Sequence, residues 1–297
     1  MKILSISHYD LDGFGCQLCI NEKFKKHDIT YSNCGYSSIE KTLDKFEFNN
    51  FDVVFITDLN FNQQQQTKLY EKAKDYQGKL IYIDHHQYLE GTEYLDKLAD
   101  LGNKVIIDTT KSATLKTYEV LKLDNPNLKK LCELIDIYDM WRTENPKFKG
   151  ANLFNTWFWE NVNEFMFKMK QLDYDISKLK EEIKQQKNKV DNYYKENFNK
   201  IIFYKDPIYI SFEYKYIGHI EEKFPGTKFA IILNIPDNRI SIRDHLGIKD
   251  KMIEIAEKYN GTCGGHVEAY GMVIPDLKNK YQSVLKEIVE VAKNSLT

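Results

Sequence analysis

The first 110 residues alternate short apolar runs with longer helical segments, and this alternation restricts the folds that the chain can adopt. Segments between the runs, such as Phe14–Lys25 and Gln63–Tyr76, carry apolar residues at spacings of three and four. Alternating strands and helices predict an α/β domain, with a parallel five-stranded sheet covered by helices on both faces. The predicted strands are Lys2–Ser7, Ile29–Asn33, Asp52–Thr57, Lys79–Ile83 and Lys104–Ile107.

The rest of the chain is predicted to be helical first and of mixed character afterwards. Residues 176–199 are rich in Lys and Glu, which favours a helical connector over a solvated linker. We therefore predict a first domain over 1–175, this connector, and a smaller α/β C-terminal domain over 200–297. The predicted segments are helices Leu128–Trp141, Asn152–Gln171 and Ile176–Asn197, strands Ile201–Tyr204, Ile208–Phe212, Phe229–Ile235 and Arg239–Arg243, and helices Ile248–Tyr259 and Lys280–Ser295.

Composition excludes several classes of protein. A chain of 297 residues with 42% hydrophobic residues fits about two domains and is too apolar to be disordered. The formal net charge of −2 argues against a protein that binds long duplex DNA, because such binding depends on many Lys and Arg contacts. The absence of a long apolar run or a signal-peptide pattern, together with five cysteines, predicts a soluble cytoplasmic protein with reduced thiols.

Side chains that bind metal ions follow three of the predicted strands. The carboxyl ends of parallel strands meet at one edge of a sheet, where ligands bind in folds of this kind. We therefore expect these side chains to lie in one crevice. They are His8, Asp10 and Asp12 after the first strand, Asp58 after the third, and Asp84, His85 and His86 after the fourth.

The predicted crevice would hold so many carboxylates that they would repel one another without a cation. Imidazole and carboxylate ligands without thiolates suit Mn²⁺ or similar ions better than structural zinc. Seven such groups fit a two-metal centre with a bridging carboxylate, the arrangement used in phosphoryl hydrolysis. Residues 8–13 alone also fit a polar turn with an Asp cap. Asp136 and Asp139, one helical turn apart, are both candidates for a further acidic ligand.

These motifs resemble those of the DHH superfamily of phosphoesterases, which is named after the triplet at 84–86, and the resemblance covers nearly the whole chain. The further matches in the first domain are H-x-D-x-D-G at 8–13, D-L-N at 58–60 and Y-D-M-W at 138–141. In the C-terminal domain, S-I-R at 241–243 and C-G-G-H at 263–266 are similar to the S-x-R strand and the G-G-G-H loop of the superfamily's associated domain. Cys263 departs from the first glycine of that loop.

The resemblance implies a role for each residue in the first domain. Asp58 would bridge two ions, and Asp139 stands where the fourth motif places its acid. His86 would contact the scissile phosphate, Asp84 would orient an imidazole, and a water or hydroxide between the ions would be the nucleophile. The first ion would be bound by His8, Asp10 and Asp58, and the second by Asp12, Asp58, His85 and Asp139.

The C-terminal domain is expected to bind the substrate. Glycine lets backbone amides approach a phosphate closely, and arginine offers a bidentate fork. Arg243 is one of only three arginines in the chain. The residues expected to contact a phosphate are Arg243, Gly264, Gly265 and His266.

The resemblance implies a metal-dependent phosphodiesterase of the exonuclease type that hydrolyses short single-stranded oligonucleotides to mononucleotides, similar to the nano-RNases. We expect two divalent ions, Mn²⁺ before Mg²⁺ or Co²⁺, and no membrane or long-duplex partner. An oligomer is possible but is not predicted. A cyclic-dinucleotide or phosphoadenosine-phosphate hydrolase would use the same centre. A non-catalytic protein that binds or sequesters a nucleotide is the alternative of another class.

Two further patterns are interpreted as packing. Cys16 and Cys19 form a C-x-x-C pair on a predicted helix without a second pair downstream, so they are expected to lie in the core. Trp157, Phe158 and Trp159 could stack on bases, but aromatic residues at helical spacing favour a core position.

Overall fold

The chain folds into two compact units, Met1–Lys180 and Glu181–Thr297. The computed structural model describes residues 1–88, 91–203, 207–212 and 215–296. The division at residue 180 lies inside the stretch that the sequence marks as a helical connector. Within the described ranges, every helix is too short or too polar to cross a lipid bilayer.

The first unit is built on a five-stranded parallel sheet in the order β2-β1-β3-β4-β5, which confirms the predicted fold class. The chain order reverses between β1 and β3, and ligands of such sheets bind at this switch point. The strands are β1 (Lys2–His8), β2 (Asp28–Cys34), β3 (Val53–Thr57), β4 (Lys79–Asp84) and β5 (Lys104–Ile107).

Two groups of helices cover the sheet of the first unit. Helices α1, α5 and α6 pack together, and α3 packs with α2 and α4. Successive residues of a strand point to opposite faces, so Ile3 and Leu4 are both fully buried, but on different sides of the sheet. The helices are α1 (Leu11–Phe24), α2 (Ile39–Lys45), α3 (Gln63–Ala73), α4 (Glu93–Asp100), α5 (Ala113–Val120), α6 (Pro126–Asp139), α7 (Phe148–Glu160) and α8 (Val162–Gln171).

The predicted helix Asn152–Gln171 is two helices, α7 and α8, which meet at Asn161. The side-chain amide of Asn161 donates to the carbonyl oxygen of Trp157 at 2.7 Å, and its backbone N–H donates to Phe158 at 2.9 Å. A side chain that bonds its own backbone competes with the helical ladder, and the helix ends there. Apolar spacing alone does not reveal this break.

Helix α1 carries Cys16 and Cys19, which are fully buried in agreement with their predicted packing role. Cys19 Sγ lies 3.5 Å from Sγ of Cys132 on α6, and both are free thiols. Burial raises the pKa of the Cys19 thiol well above its usual value. Both cysteines on α1 therefore serve the contact of α1 with its neighbouring helices.

The second unit contains a six-stranded mixed sheet in the order β10-β11-β9-β8-β7-β6, in which β7 and β8 are parallel. The residues expected to form a glycine loop belong instead to a hairpin of β10 and β11, with Gly264 opposite Gly271. Tyr204, the last residue of a predicted strand, lies outside the described residues. The strands are β6 (Ile201–Phe203), β7 (Ile208–Ser211), β8 (Phe229–Asn234), β9 (Arg239–Asp244), β10 (Thr262–Gly265) and β11 (Ala269–Val273).

The long charged helix of the sequence packs within the second unit. Its Tyr194 hydroxyl donates to the carbonyl of Tyr216 at 2.9 Å, and its Asp191 pairs with Lys223. These contacts explain why a polar segment is ordered as a helix. The helices of this part are α9 (Lys180–Asn197), α10 (Ile220–Lys223), α11 (Lys249–Lys258) and α12 (Leu277–Asn294).

The carboxylate of Asp244 fixes the turn that follows β9. It is 1% exposed and accepts from the backbone N–H groups of Leu246, Gly247 and Ile248 at 2.7, 3.0 and 3.0 Å. It also accepts from the Tyr270 hydroxyl at 2.8 Å, which links the turn to β11. A buried carboxylate with four donors is expected to contribute strongly to stability.

We predict that Asp244→Ala lowers the free energy of unfolding by about 3 kcal/mol, because its donors lose their acceptor in a buried place. Asp237→Ala is the matched control, since Asp237 is an exposed aspartate in the preceding turn and its loss should cost less than about 0.5 kcal/mol. Urea denaturation followed by circular dichroism measures both. Equal stability of the two variants would contradict the anchoring role.

Candidate metal centre

The polar side chains named from the sequence meet at the switch point of the first sheet. His8 is the last residue of β1, Asp58 follows β3, and His85 follows β4. Asp139 is the last residue of α6 and reaches the same place from a helix. Asp12 lies in the first turn of α1.

Among the described residues, three groups of side chains place ligand atoms within 4.8 Å of one another, and together they contain every residue predicted to bind metal. His85 Nε2 lies 3.3 Å from Asp58 Oδ1 and 3.3 Å from Asp139 Oδ2. Because Asp58 and His85 each belong to two groups, the groups form one continuous cluster. The groups are His8, Asp10 and Asp58; Asp12, His85 and Asp139; and Asp58, His85 and His86.

The cluster has an excess of buried negative charge. Burial, together with repulsion from Asp10 and Asp12, raises the pKa of Asp58 well above its usual value, and burial and repulsion do the same for Asp139. Burial also lowers the pKa of His85, which favours the neutral imidazole that binds metal ions. Nearby cations would remove the repulsion and keep the carboxylates ionised.

Two oxygens of the cluster fit the role of metal ligands directly. Asp58 Oδ2 and Asp139 Oδ2 are buried and have no hydrogen-bond partner within the described part of the chain. An unpaired buried carboxylate oxygen is costly, and coordination of a divalent ion would satisfy it. The donor set of imidazoles and carboxylates, with no thiolate, fits Mn²⁺ or Mg²⁺ better than structural zinc.

Asp58 is held in a backbone conformation that few residues adopt. Its φ of 57° is left-handed, which aspartate tolerates better than most side chains. Its N–H donates to the carbonyl of Ile83 at 2.9 Å, so the turn is fixed against β4. Strained residues of this kind cluster at functional sites.

The turn between β1 and α1 serves as a helix cap and as part of the cluster. Asp10 Oδ1 accepts from the N–H of Gly13 at 2.9 Å and caps α1, while Oδ2 lies 2.6 Å from His8 Nδ1. The capping interpretation of the 8–13 string is therefore confirmed, and the same residues also lie in the cluster. A Cβ at Gly13 would lie 2.1 Å from the carbonyl oxygen of His8, so only glycine lets α1 start this close to β1.

Asp12 also caps a helix, which the sequence did not reveal. Its two oxygens accept from the N–H groups of Ala113 and Thr114, the start of α5, at 2.8 and 2.9 Å. Its Oδ2 lies 3.8 Å from His85 Nε2. The amino end of α5 thus offsets part of the charge of Asp12 and fixes its orientation.

Asp139, rather than Asp136, lies in the cluster. Asp136 accepts from Ser112 N–H at 2.8 Å and from Arg142 Nε at 2.8 Å, so both of its oxygens are used elsewhere. Arg142 also donates to the carbonyl of Thr110 at 2.9 Å. Asp136 therefore joins the end of α6 to the segment before α5.

His86 is held from both sides. Its Nδ1 lies 2.9 Å from Asp84 Oδ1, and the Tyr88 hydroxyl donates to the other oxygen of Asp84 at 2.6 Å. Its Nε2 lies 3.1 Å from the hydroxyl of Tyr36. The ring of Tyr36 also lies 4.7 Å from that of His8.

Sequence reasoning missed Tyr36 and Tyr88. Tyr36 follows β2, the strand beside β1, so it lies at the edge of the sheet where the carboxyl ends of the strands meet and ligands are expected. A tyrosine in G-Y-S-S is not one of the carboxylate or imidazole ligands that mark the other strand ends. Tyr88 follows the D-H-H triplet, and its bond to Asp84 depends on the turn after β4.

The four residues expected to bind a phosphate lie at one end of the second sheet. Arg243 pairs with Ala269 across β9 and β11, and it is buried rather than on the surface. Gly265 has a φ of 127°, and a Cβ there would lie 2.8 Å from Tyr270 Cα, so glycine is required. Gly264 is exposed, and a Cβ there would meet nothing within 4 Å.

His266 follows directly, and its N–H donates to Ala269 at 3.0 Å. The amino group of Lys249 donates to the carbonyl of Gly265. Lys249 stands at the start of α11 and adds a positive charge beside the glycines. The sequence analysis did not identify this lysine.

Comparison with known proteins identifies relatives over most of the chain, although no protein-family model matches it. The chain is 27% identical to the oligoribonuclease NrnB of Bacillus subtilis (strain 168), over 91% of this chain and 72% of that protein. It is 28% identical to a 3′,5′-cyclic-nucleotide phosphodiesterase of Helicobacter pylori (strain ATCC 700392 / 26695), over 62% of this chain and only 57% of that protein.

Solved structures share the fold. The DHH domain of a member of a family of ribosomal proteins matches with a TM-score of 0.67 and 16% identity, over 98% of this chain and 86% of that one. The exonuclease RecJ bound to manganese matches with a TM-score of 0.57 and 13% identity, over 98% and 90% of the two chains.

The parallel five-stranded sheet and the mixed sheet of the second unit form a fold that this chain shares with a DHH domain. The predicted resemblance to the DHH superfamily of phosphoesterases is confirmed at the level of the fold. The two sequence relatives are named as an oligoribonuclease and a cyclic-nucleotide phosphodiesterase, in agreement with the predicted class of phosphodiesterase.

We predict that Mn²⁺ raises the melting temperature of the protein by about 5–10 °C when its concentration is 100 times Kd. Asp139→Asn should lose most of this shift, and the matched variant Asp136→Asn should keep it. Asp58→Asn should lose the shift too, yet be at least as stable as the wild type without metal, because a repelled buried charge is removed.

Differential scanning fluorimetry with and without Mn²⁺ measures these shifts. If Asp136→Asn lost as much of the metal response as Asp139→Asn, the assignment of Asp139 as a ligand would be wrong.

Proposed function

We propose that this protein is an exonuclease-type phosphodiesterase that hydrolyses short single-stranded oligonucleotides to mononucleotides. It would use two divalent ions, with Mn²⁺ preferred. The observation that carries the proposal is the continuous cluster in which Asp58 and His85 are shared between groups of ligand atoms. The similarity to an oligoribonuclease over 91% of the chain supports the substrate class.

In this proposal His8, Asp10 and Asp58 hold one ion, and Asp12, Asp58, His85 and Asp139 hold the other. The ions would lower the pKa of a water molecule that attacks phosphorus, and they would offset the charge of the phosphate. Asp58 lies centrally, with Oδ1 at 3.3 Å from His85 and Oδ2 at 3.9 Å from His8. No side chain needs to act as a nucleophile.

His86 would donate a hydrogen bond to the scissile phosphate. Burial acts to lower the pKa of His86, but the charge of Asp84 and its hydrogen bond outweigh this effect and raise it. As an imidazolium, His86 would donate from Nδ1 to Asp84 and from Nε2 to a phosphate oxygen, which would take the place of the Tyr36 hydroxyl now 3.1 Å from Nε2. Asp84, held in turn by Tyr88, would keep the ring in this orientation.

The second unit would bind a phosphate of the substrate away from the reacting atoms. Arg243, His266 and Lys249 would supply donors, and the exposed backbone at Gly264 would allow a phosphate to approach closely. We propose 200–297 as the substrate-binding domain and 1–175 as the catalytic domain. A net charge of −2 leaves little basic surface for a long strand and favours a short one.

We place the enzyme in the cytoplasm, where reduced thiols are expected. All five of its cysteines are free, and four of them are buried.

A second candidate function is hydrolysis of a cyclic nucleotide or of phosphoadenosine phosphate. The 28% identity to a cyclic-nucleotide phosphodiesterase favours it, although the match spans 57% of that relative. The same ions and His86 would serve all these substrates. The difference would lie in which nucleotide the second unit accepts.

We predict that the purified protein with Mn²⁺ converts di- to pentanucleotides to mononucleotides. The assay is chromatography of the products, with cyclic di-AMP, a 3′,5′-cyclic nucleotide, phosphoadenosine phosphate and pyrophosphate as competing candidates. Asp58→Ala should lower the rate at least about 10²-fold, because it removes the shared ligand. Asp75→Ala, at an exposed aspartate on the surface of the same unit, is the matched control.

Turnover of a cyclic nucleotide in preference to every linear substrate would favour the second candidate. Binding of these nucleotides without hydrolysis of any of them would overturn both and leave a nucleotide-binding protein.

We predict that Tyr36→Phe lowers kcat about 10-fold with a smaller change in KM, because loss of the hydroxyl frees the His86 ring to reorient. The ring contact with His8 is kept in this variant, so metal affinity should hardly change. Tyr70→Phe is the control, since Tyr70 lies on α3, a helix that supplies no residue to the cluster. An unchanged kcat in Tyr36→Phe would show that the hydroxyl has no positioning role.

A further inference from the structure

Two large aromatic side chains are exposed next to each other, and one of them, Tyr9, is adjacent in sequence to two residues of the metal-binding cluster. Trp159 of α7 is 46% exposed and Tyr9 is 43% exposed, and their ring centroids lie 6.2 Å apart. Trp157 and Phe158, which share the aromatic run with Trp159, are 2% and 0% exposed. The core interpretation of this run therefore holds for two of its residues and is wrong for Trp159.

The exposed pair rests on a rigid support. Tyr9 contacts Phe14 with centroids at 5.7 Å, and Trp159 contacts Phe158 at 5.2 Å. Phe14 and Phe158 in turn meet each other at 5.4 Å. A pair held by packed rings loses little conformational freedom when a ligand binds, which favours binding.

The position of Tyr9 in the sequence connects the aromatic pair to the metal-binding cluster. Tyr9 stands between His8 and Asp10, two residues of the cluster, so its Cα lies about 3.8 Å from each of theirs. A nucleotide that binds the cluster through its phosphate also carries a flat base, and an exposed aromatic ring on the same segment of chain offers a stacking partner for it. Ring stacking accepts every base, because each has a π face.

We propose that Tyr9 and Trp159 form a platform that stacks on a nucleobase next to the scissile phosphate. This proposal rests on the proposed function, and it defines the substrate further: a phosphodiester that carries a base at that place is preferred over one without a base. The platform selects for the presence of a base and tolerates its identity, as a nuclease that degrades mixed sequences requires.

The test compares a dinucleotide with its abasic analogues, in which one base or the other is replaced by hydrogen. The wild type should prefer the intact dinucleotide in kcat/KM, and Trp159→Leu should reduce that preference about 10-fold, mainly through KM. Trp159→Phe keeps a π face and should retain most of the preference. Phe167→Leu, at a 69% exposed aromatic on α8, is the matched control and should leave the preference unchanged.

Intrinsic fluorescence gives a readout that does not require turnover. Trp159 is the most exposed of the three tryptophans, since Trp141 and Trp157 are 9% and 2% exposed. A non-hydrolysable dinucleotide analogue added with Mn²⁺ to the wild type should quench the emission, and the abasic form that lacks the stacked base should quench it less. Trp159→Phe should remove this difference.

The two readouts separate the platform from the proposed function. If the wild type hydrolyses no phosphodiester but the base-dependent quenching is seen, the catalytic proposal fails and the platform stands. If turnover is normal while Trp159→Leu leaves the preference unchanged, the platform is wrong and the catalytic proposal stands. If the protein with Trp159 intact shows neither a base preference nor base-dependent quenching, the platform is also wrong.

Discussion

Repulsion among carboxylates that are held close together is the interaction on which the first unit depends. Asp58 is almost fully buried, stands in a left-handed conformation and shares its surroundings with Asp10, Asp12 and Asp139. A fold would not keep such an arrangement for its own stability, since isolated buried charges are costly. These carboxylates are held together by the strand ends, by Gly13 and by the amino end of α5. Cations at this place would offset the repulsion between them.

The alignment of strand ends in a parallel sheet explains why so much of the first unit could be predicted from the sequence. Parallel strands align their carboxyl ends, so residues 8, 58 and 85 had to converge once the order of the sheet was known. What could not be predicted depends on side chains that bond to backbone. At Asn161 the bond is local and ends the helix, and at Asp12 it reaches the start of α5, 101 residues away.

The second unit was harder to predict for a related reason. Its glycine-rich segment carries no strand propensity, and it forms a strand only because β11 supplies a partner. The polar helix α9 likewise depends on Tyr216 and Lys223, which are brought to it by the fold. The aromatic run on α7 shows the limit of periodicity, because neighbouring residues differ in exposure according to which layer lies above them.

The two bonds from α5 to Asp12 affect the order of folding and metal binding in this protein. Asp12 and Ala113 are 101 positions apart, so the Asp12 carboxylate acquires its orientation only after α5 has reached its place beside α1. A partly folded chain would therefore lack one of the proposed ligands. Under the proposed function, binding of the ions would be a late event that reports the native topology of the first unit.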